Sequence, residues 1–299
     1  MMFFRSCLVM CAVLTSFSVA SEHAADAAKA AAKADDAGMK LQLIRNATLK
    51  IQYGDTVFLL DPMLAAQGTY PGFTGTHRSE LRNPLVELPM SIEDVVTGVD
   101  AVIVTHTHLD HWDAAAQEAL PKGIPLFAQH AADADIIREQ GFTDVRILTP
   151  GTDFNGITLE PTGGQHGSDE LYAVPALAER MGEIMGVVFQ ATDAPTLYVA
   201  GDTVWRTEVE AALDAFSPDV VVLNAGAAEV NGFENDPIIM GREDTLRAYQ
   251  YAPQAQVVAV HMDAINHMTL SRAELADYIA EQEIQDRVLI PADGEILNF

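Results

Sequence analysis

The sequence predicts an α/β protein built on two mixed β-sheets covered by helices, and three observations carry that expectation. Short β-branched runs recur between residues 41 and 290. Tight-turn signals join some of these runs as antiparallel hairpins, at Tyr53-Gly54-Asp55-Thr56 and Asp193-Ala194-Pro195. Stretches with helical spacing separate many of the later runs. A simple doubly wound parallel sheet does not call for the hairpins, and no break in composition marks a second domain after residue 39.

The first twenty residues stand apart from that fold. Arg5 precedes an apolar run from Cys7 to Ala20, and Ser18-Val19-Ala20 offers the small residues that a signal peptidase reads. The run falls short of the roughly 20 apolar residues of a spanning helix, so a cleaved signal peptide over 1–20 is expected, an uncleaved anchor being the alternative. With no twin-arginine pair the general secretory (Sec) route follows, and with it a periplasmic or secreted location. Met10 before Cys11 argues against lipidation. Residues 21–38 are rich in Ala, Asp and Lys and hold no large apolar side chain, so they read as a tether; His23 within it reads as solvated. The folded domain is expected over 39–299.

Within the domain, Leu41 to Ile44, Thr48 to Tyr53 and Val57 to Leu60 read as a strand meander. A Gly, Pro and Thr-rich segment from Met63 to Pro89 follows and reads as a functional lid or as irregular cover. Beyond Val102 to Val104, strands are expected at Pro125 to Ala128, Val145 to Leu148, Ile157 to Pro161, Ile184 to Gln190, Thr196 to Ala200, Val220 to Leu223, Val257 to Val260 and Val288 to Ile290. Helices are expected at Ala114 to Leu120, Ala131 to Gln140 (with His130 at its start, solvated), Glu208 to Phe216, Arg242 to Ala252 and Ser271 to Gln282.

Charge and cysteine content narrow the chemistry. A formal charge of −26 repels nucleic acid and anionic membranes, leaving a small-molecule substrate as the expected partner. Solubility alone accounts for the acidity equally well. Both cysteines, Cys7 and Cys11, lie in the signal segment, so the mature chain has no disulfide, thiolate ligand or thiol nucleophile. No membrane span is expected once the signal is removed, and the oligomeric state is left open.

The strongest chemical signal is His106-Thr107-His108-Leu109-Asp110-His111, directly after the apolar run Val102-Ile103-Val104. Alternate residues of an extended chain share a face, so His106, His108 and Asp110 would project together, and a turn would bring His111 to the same cavity. Imidazole and carboxylate without thiolate suit zinc and, less selectively, iron or manganese. A His-rich surface loop is the bland alternative. Three more strand ends present metal-competent groups: His166 after Thr162-Gly163-Gly164-Gln165, Asp202 in Gly201-Asp202-Thr203, and His261, with Asn266 and His267 shortly after. Singly each is weak, because a lone strand-end histidine is commonly solvated; together they point to one shared site at the strand ends.

This set of residues resembles the metallo-β-lactamase superfamily over most of residues 40–299. The resemblance implies a four-layer αβ/βα sandwich with a dinuclear site at one edge. Phe58-Leu59-Leu60-Asp61-Pro62 and Gly201-Asp202-Thr203 look most like the branch that includes L-ascorbate-6-phosphate lactonase. Carried over residue by residue, His106, His108 and His166 would hold one metal, Asp110, His111 and His261 the other, and Asp202 would bridge them. His261 is preferred to His267 as last ligand because it ends its strand, which leaves His267 as a proton shuttle or outer group. Asp61 either orients a ligand imidazole or simply ends a strand before Pro62. Thr107 stands where oxygen-reducing diiron members carry glutamate, and the lack of cysteine departs from one large group of true β-lactamases. The tRNA-maturing ribonucleases share ligands but not the charge or the export signal. Homoserine-lactone hydrolases often carry a tyrosine near the metals, for which Tyr70 and Tyr172 are candidates.

The implied reaction is hydrolysis by a hydroxide held between two divalent ions, zinc first and manganese or iron as alternatives, attacking a lactone, ester or amide carbonyl, with Asp110 or His267 passing the proton. Tyr70, Phe73, His77, Arg78 and Arg82 of the 63–89 segment could cover and orient substrate, or only build the loop. A phosphodiesterase is the second enzymatic reading, with Arg78, Arg82 and Arg206 as its cations, and an exported metal-binding protein without turnover is the contrasting one. Trp112 and Trp205 could line the pocket or pack.

Overall fold

Two seven-stranded sheets, each changing from antiparallel to parallel pairing partway across, make the frame. The computed structural model describes residues 38–299. The signal peptide 1–20, Cys7, Cys11, His23 and all of the tether except Gly38 lie outside the described residues.

The first sheet begins as the expected meander. Strand β1 (Met39–Arg45) pairs antiparallel with β2 (Thr48–Tyr53), and β2 with β3 (Thr56–Leu60) across the Gly54-Asp55 turn. From β3 the sheet becomes parallel through β4 (Ala101–Val104), β5 (Leu126–Ala128) and β6 (Val145–Ile147), with helical crossovers Ala114–Ala119 and Ala131–Glu139. The second sheet follows the same order. Strands β7 (Thr152–Phe154), β8 (Ile157–Thr162), β9 (Gly186–Gln190) and β10 (Leu197–Val199) are antiparallel neighbours. Then β10, β11 (Val220–Asn224), β12 (Gln256–Val260) and β13 (Val288–Leu289) are parallel. Strand β14 (Ile296–Asn298) returns to close the first sheet against β1.

Alternation of side chains across the sheets builds the four layers. Leu41, Ile51, Phe58, Ile103 and Phe127 from the first sheet meet Leu159, Val187, Phe189, Val222 and Val258 from the second. Their neighbours in register face outward instead: Val102 and Leu126 pack under Ala116 and Ile137, while Tyr198, Val221 and Val257 pack under Leu213, Ala248 and Leu275. Each of these large buried side chains is worth about 1.5–3 kcal/mol of transfer free energy, enough to fix register because a one-residue slip exposes the set. The helices start where capping dictates. Asp113 accepts from Ala116 N–H, and Ser271 forms a reciprocal pair with Glu274.

The expected αβ/βα sandwich is present, with element ends shifted by a residue or two. Strands β7 and β14 and helices Ile92–Val96, Asp169–Tyr172 and Pro175–Met181 were not expected. All five are short. Asn155-Gly156 between β7 and β8 is a hairpin dipeptide, both residues at positive φ, so the first of these was signalled. Among the described residues no helix is long and apolar enough to cross a membrane.

Candidate metal centre

Strands β8, β10, β11 and β12 of the second sheet end on one edge, and the polar residues after them converge with those that follow β4 of the first. The strand ends at Val104, with a bend at Thr105 and a turn from Leu109. His111 and Trp112 N–H then both donate to His108 O (2.9 Å each), a turn that brings Asp110 and His111 round. The extended alternation expected through Asp110 therefore stops early, and the turn does the rest. His166 follows β8, Asp202 follows β10 and His261 follows β12. Gly201 makes the presentation of Asp202 possible: its φ is +73°, and a Cβ there would lie 2.7 Å from Met185 O.

Three groupings of donor atoms, each within 4.8 Å, result: His106 with His108 and His166; His106 with His111 and Asp202; and Asp110 with His111 and His261. All are buried except the half-buried His108. The structure thus brings together all seven residues expected as ligands. His267 belongs to none of these groupings. Its ring stands edge-on to Phe73, 5.1 Å between centroids, at the wall of the adjoining cleft.

Outer hydrogen bonds assign the imidazole tautomers. Thr105 donates its hydroxyl to Asp61 Oδ2 (2.6 Å), so its oxygen accepts from His106 Nδ1 (3.1 Å). His111 Nδ1 donates to Asp61 Oδ2 (2.9 Å), His166 Nδ1 to Ile238 O (2.8 Å) and His108 Nε2 to Arg180 O (3.0 Å). Carbonyls and carboxylates only accept, so in the neutral rings the inward nitrogens carry lone pairs. Those lone pairs face one another: His106 Nε2 and His108 Nδ1 are 3.0 Å apart, His111 Nε2 lies 3.1 Å from His261 Nε2 and 3.2 Å from Asp202 Oδ2, and His166 Nε2 is 3.6 Å from the same oxygen. Such crowding is repulsive unless a cation lies between the donors. An all-nitrogen and oxygen set of this kind fits divalent metals.

The electrostatics agree. Burial favours a neutral carboxyl at Asp202, yet His111 and His261 override it and hold the carboxylate well below its ordinary range. Burial would likewise strip His111 of charge, but Asp202, Asp61 and Asp110 draw its pKa well above 6.5. A proton on His111 Nε2 and a metal ion therefore satisfy the same anionic cavity. Burial pushes His166 down to about 4 and His267 down to about 3, and pushes His106 well below 6.5 with help from His111 and His108. These three rings are neutral at pH 7.

A cleft opens onto His108, Asp110 and His166. Phe73, Leu109, Met181, Val230 and Ile238 form most of its wall, with Thr76 and Arg180 as polar members. Several expected lining groups point elsewhere. Tyr70 donates its hydroxyl to Asp113 (3.3 Å), whereas Tyr172 donates to Gly182 O (2.8 Å) and accepts from His166 N–H (3.3 Å), bracing the backbone of a donor residue. Arg78 and Arg82 bond backbone carbonyls, and Arg206 pairs with Asp169 and Glu208, so the cationic pocket suggested by these three arginines does not form. Trp112 packs beneath helix 131–139, bonding Gln140, and Trp205 bonds Glu210 under Arg247.

Four contributors were missed from sequence. Thr105 links Asp61 to His106, and Asn224 at the end of β11 donates to Asp202 Oδ1 (2.6 Å). Asn46, at φ +62°, donates to Asp110 O and accepts from His261 N–H, tying two ligand loops together. Arg180 supplies the carbonyl that orients His108. Asn224 and Thr105 had a sequence signal, each a polar residue directly ending an apolar run, Val220–Leu223 and Val102–Val104. Asp61 acts as the orienting carboxylate, accepting also from Thr105 N–H (2.7 Å); its φ of +48° is one of the strained backbone positions at the site.

Known proteins resemble this chain in sequence and fold. Residues 56–262 match the family model of the β-lactamase superfamily domain. The UPF0173 protein YddR of Bacillus subtilis is 44% identical over 261 residues, 87% of this chain and all of the relative. A crystal structure of a possible metal-dependent hydrolase from Veillonella parvula is 48% identical and superposes with a TM-score of 0.86, covering 87% of this chain and 99% of that one. The crystal structure of an isothiocyanate hydrolase from Delia radicum gut bacteria is 50% identical with a TM-score of 0.84 over the same shares. The fold, the converging donors and these matches agree: the chain belongs to the β-lactamase superfamily and is one of its metal-dependent hydrolases.

Proposed function

We propose that His106, His108 and His166 hold one divalent ion, that Asp110, His111 and His261 hold a second with Asp202 between them, and that the substrate is a small isothiocyanate. The observation that carries the substrate is the apolar cleft lying directly against the donor cluster; the relative that is 50% identical and named for isothiocyanate hydrolysis supports it. Zinc is the first candidate metal, with manganese or iron as alternatives. Two bound ions supply Lewis acidity and a hydroxide available near neutral pH, since the pKa of the attacking water falls toward about 7.

The chain's own residues do the remainder. Phe73, Met181, Val230 and Ile238 hold the apolar tail and exclude bulk water. The balanced reaction is R–N=C=S + H2O → R–NH2 + O=C=S. Oxygen bonds to the central carbon, the substrate nitrogen takes up two protons, and the carbon to nitrogen bond breaks as carbonyl sulfide leaves. Asp110 and His267 both line the cleft and are placed to pass those protons. His267 is neutral at pH 7 and its buried Nδ1 has no hydrogen-bond partner among the described residues, so any proton it handles passes through Nε2 alone.

The test is turnover of benzyl isothiocyanate by metal-loaded protein, with amine and carbonyl sulfide both measured. Equal release of the two, abolished by chelation, is expected. Turnover of esters, lactones or amides without any of the isothiocyanate would return the substrate to the carbonyl class and keep the centre. Export over residues 1–20 and a tether over 21–38 form part of the same proposal, supported by Arg5, the apolar run and Ser18-Val19-Ala20; the mass of the protein recovered from the periplasm should correspond to a chain beginning at Ser21.

A further inference from the structure

A single buried amide, outside the ligand set, bonds the residues that cover the cleft. Asn266 is fully buried. Its Oδ1 accepts from Phe73 N–H (3.0 Å) and Asn83 Nδ2 (2.8 Å), and its Nδ2 donates to Thr76 Oγ1 (2.9 Å) and His77 O (2.7 Å). Every hydrogen-bonding position of that side chain is used. Its backbone N–H donates to Asn83 Oδ1 (2.9 Å), making a reciprocal pair between residues 183 positions apart. Arg78 completes the arrangement: Nε donates to Asn266 O (3.1 Å) and Nη2 to Met268 O (2.9 Å), the carbonyls immediately before and after His267. The carbonyl of His267 itself accepts from Glu229 N–H (3.0 Å).

We infer that Asn266 is a positioning residue that locks Phe73 and Thr76 of the cover to His267, so that the tail-binding wall and the cleft imidazole are set as one unit. The inference rests on reading the cleft as the substrate site. No other residue type meets the same demands. Aspartate cannot donate to Thr76 and His77 O, and glutamine would place its amide one methylene too far. A buried amide with a lost partner is costly, so the two segments stay docked or open together. Arg78 is thereby a scaffold for His267 instead of a ligand for substrate.

Metal-loaded Asn266→Ala would be compared with wild type by hydrogen exchange of segments 70–84 and 262–270, and by kinetics on methyl and benzyl isothiocyanates or the matching esters. Metal content should stay at the wild-type level, and exchange in both segments should rise together by about tenfold or more while the sheets keep their protection. KM for the benzyl substrate should rise about tenfold, and KM for the methyl substrate less than about twofold. A merely structural role would lower kcat for both substrates in step with the folded fraction and leave KM alone; that result, or unchanged exchange in 70–84, overturns the inference. Should the variant not fold, Asn83→Ala takes its place, with the same tail dependence at about threefold. Wild-type protein inert on every substrate would refute the site reading alone, and the exchange comparison would still decide the coupling.

Discussion

The donor cluster and the cover above it lie within one cleft yet are held by different means. Each donor residue of the cluster lies in a segment that follows a strand, and outer hydrogen bonds from Asp61, Thr105, Asn224, Ile238 O and Arg180 O fix four of its rings and one carboxylate. The cover has almost no regular structure. Its segment from Met63 to Pro89 makes only the isolated bridges Tyr70 with Asn83 and Thr76 with Val230. It is held instead by long-range bonds from side chains to backbone and by a satellite apolar cluster that includes Met63, Met181, Val230, Ile238 and Met268. The difference separates two jobs. A sheet edge supplies the rigidity that attack geometry requires, while a loop layer on a few polar anchors can change its wall without disturbing the chemistry.

Changes in the cluster should abolish the reaction outright. Asp202→Ala removes the carboxylate shared by His111, His166 and His261; kcat/KM is expected to fall at least about 10³-fold, with one metal equivalent lost by elemental analysis. Near-normal turnover would contradict a shared bridging carboxylate. Asp61→Ala leaves every proposed ligand in place but frees His111 and Thr105, and metal affinity should weaken about 10–100-fold in a competition titration.

In the cover, smaller and more selective effects are expected. Phe73→Ala should raise KM for an aromatic substrate about 5–10-fold with kcat little changed, because the loss is of wall contact. A comparable fall in kcat would show that the cover takes part in the chemistry and would erase the contrast. The pH response of His267 sharpens the boundary. Its folded pKa of about 3 lies below the unfolded 6.5, so the unfolded chain binds more protons between those values; the stability it contributes is present above pH 6.5 and is lost as pH falls toward 3. His267→Phe should therefore lose less thermal stability than wild type between pH 7 and 4 in the metal-free protein, by about 6–12 °C. Trp205→Phe, outside both regions, should change kcat/KM less than about twofold.

How much of each region is legible in the sequence follows the same division. The donor residues are readable because a strand followed closely by a metal-competent side chain is a local pattern, repeated at His106, His166, Asp202 and His261. Asp61 was readable for the same reason. The cover was not, since its meaning lies in partners far along the chain: Asn83 with Asn266, Arg78 with the carbonyls around His267, and Tyr70 with Asp113. Arginines in a Gly- and Pro-rich segment look like substrate ligands until their carbonyl partners are known. In the fold, the long amphipathic helices and the β-branched strands were expected within a residue or two, whereas three-residue strands β7 and β14 carry too little periodicity to announce themselves.

The central claim, a dinuclear hydrolytic centre formed by seven side chains, is tested most directly by elemental analysis of the purified protein combined with benzyl isothiocyanate turnover before and after chelation. About two equivalents of zinc, manganese or iron, with turnover lost on chelation and restored by the metal, is the expected result. One equivalent or none in fully active protein, or turnover indifferent to chelation, would contradict it.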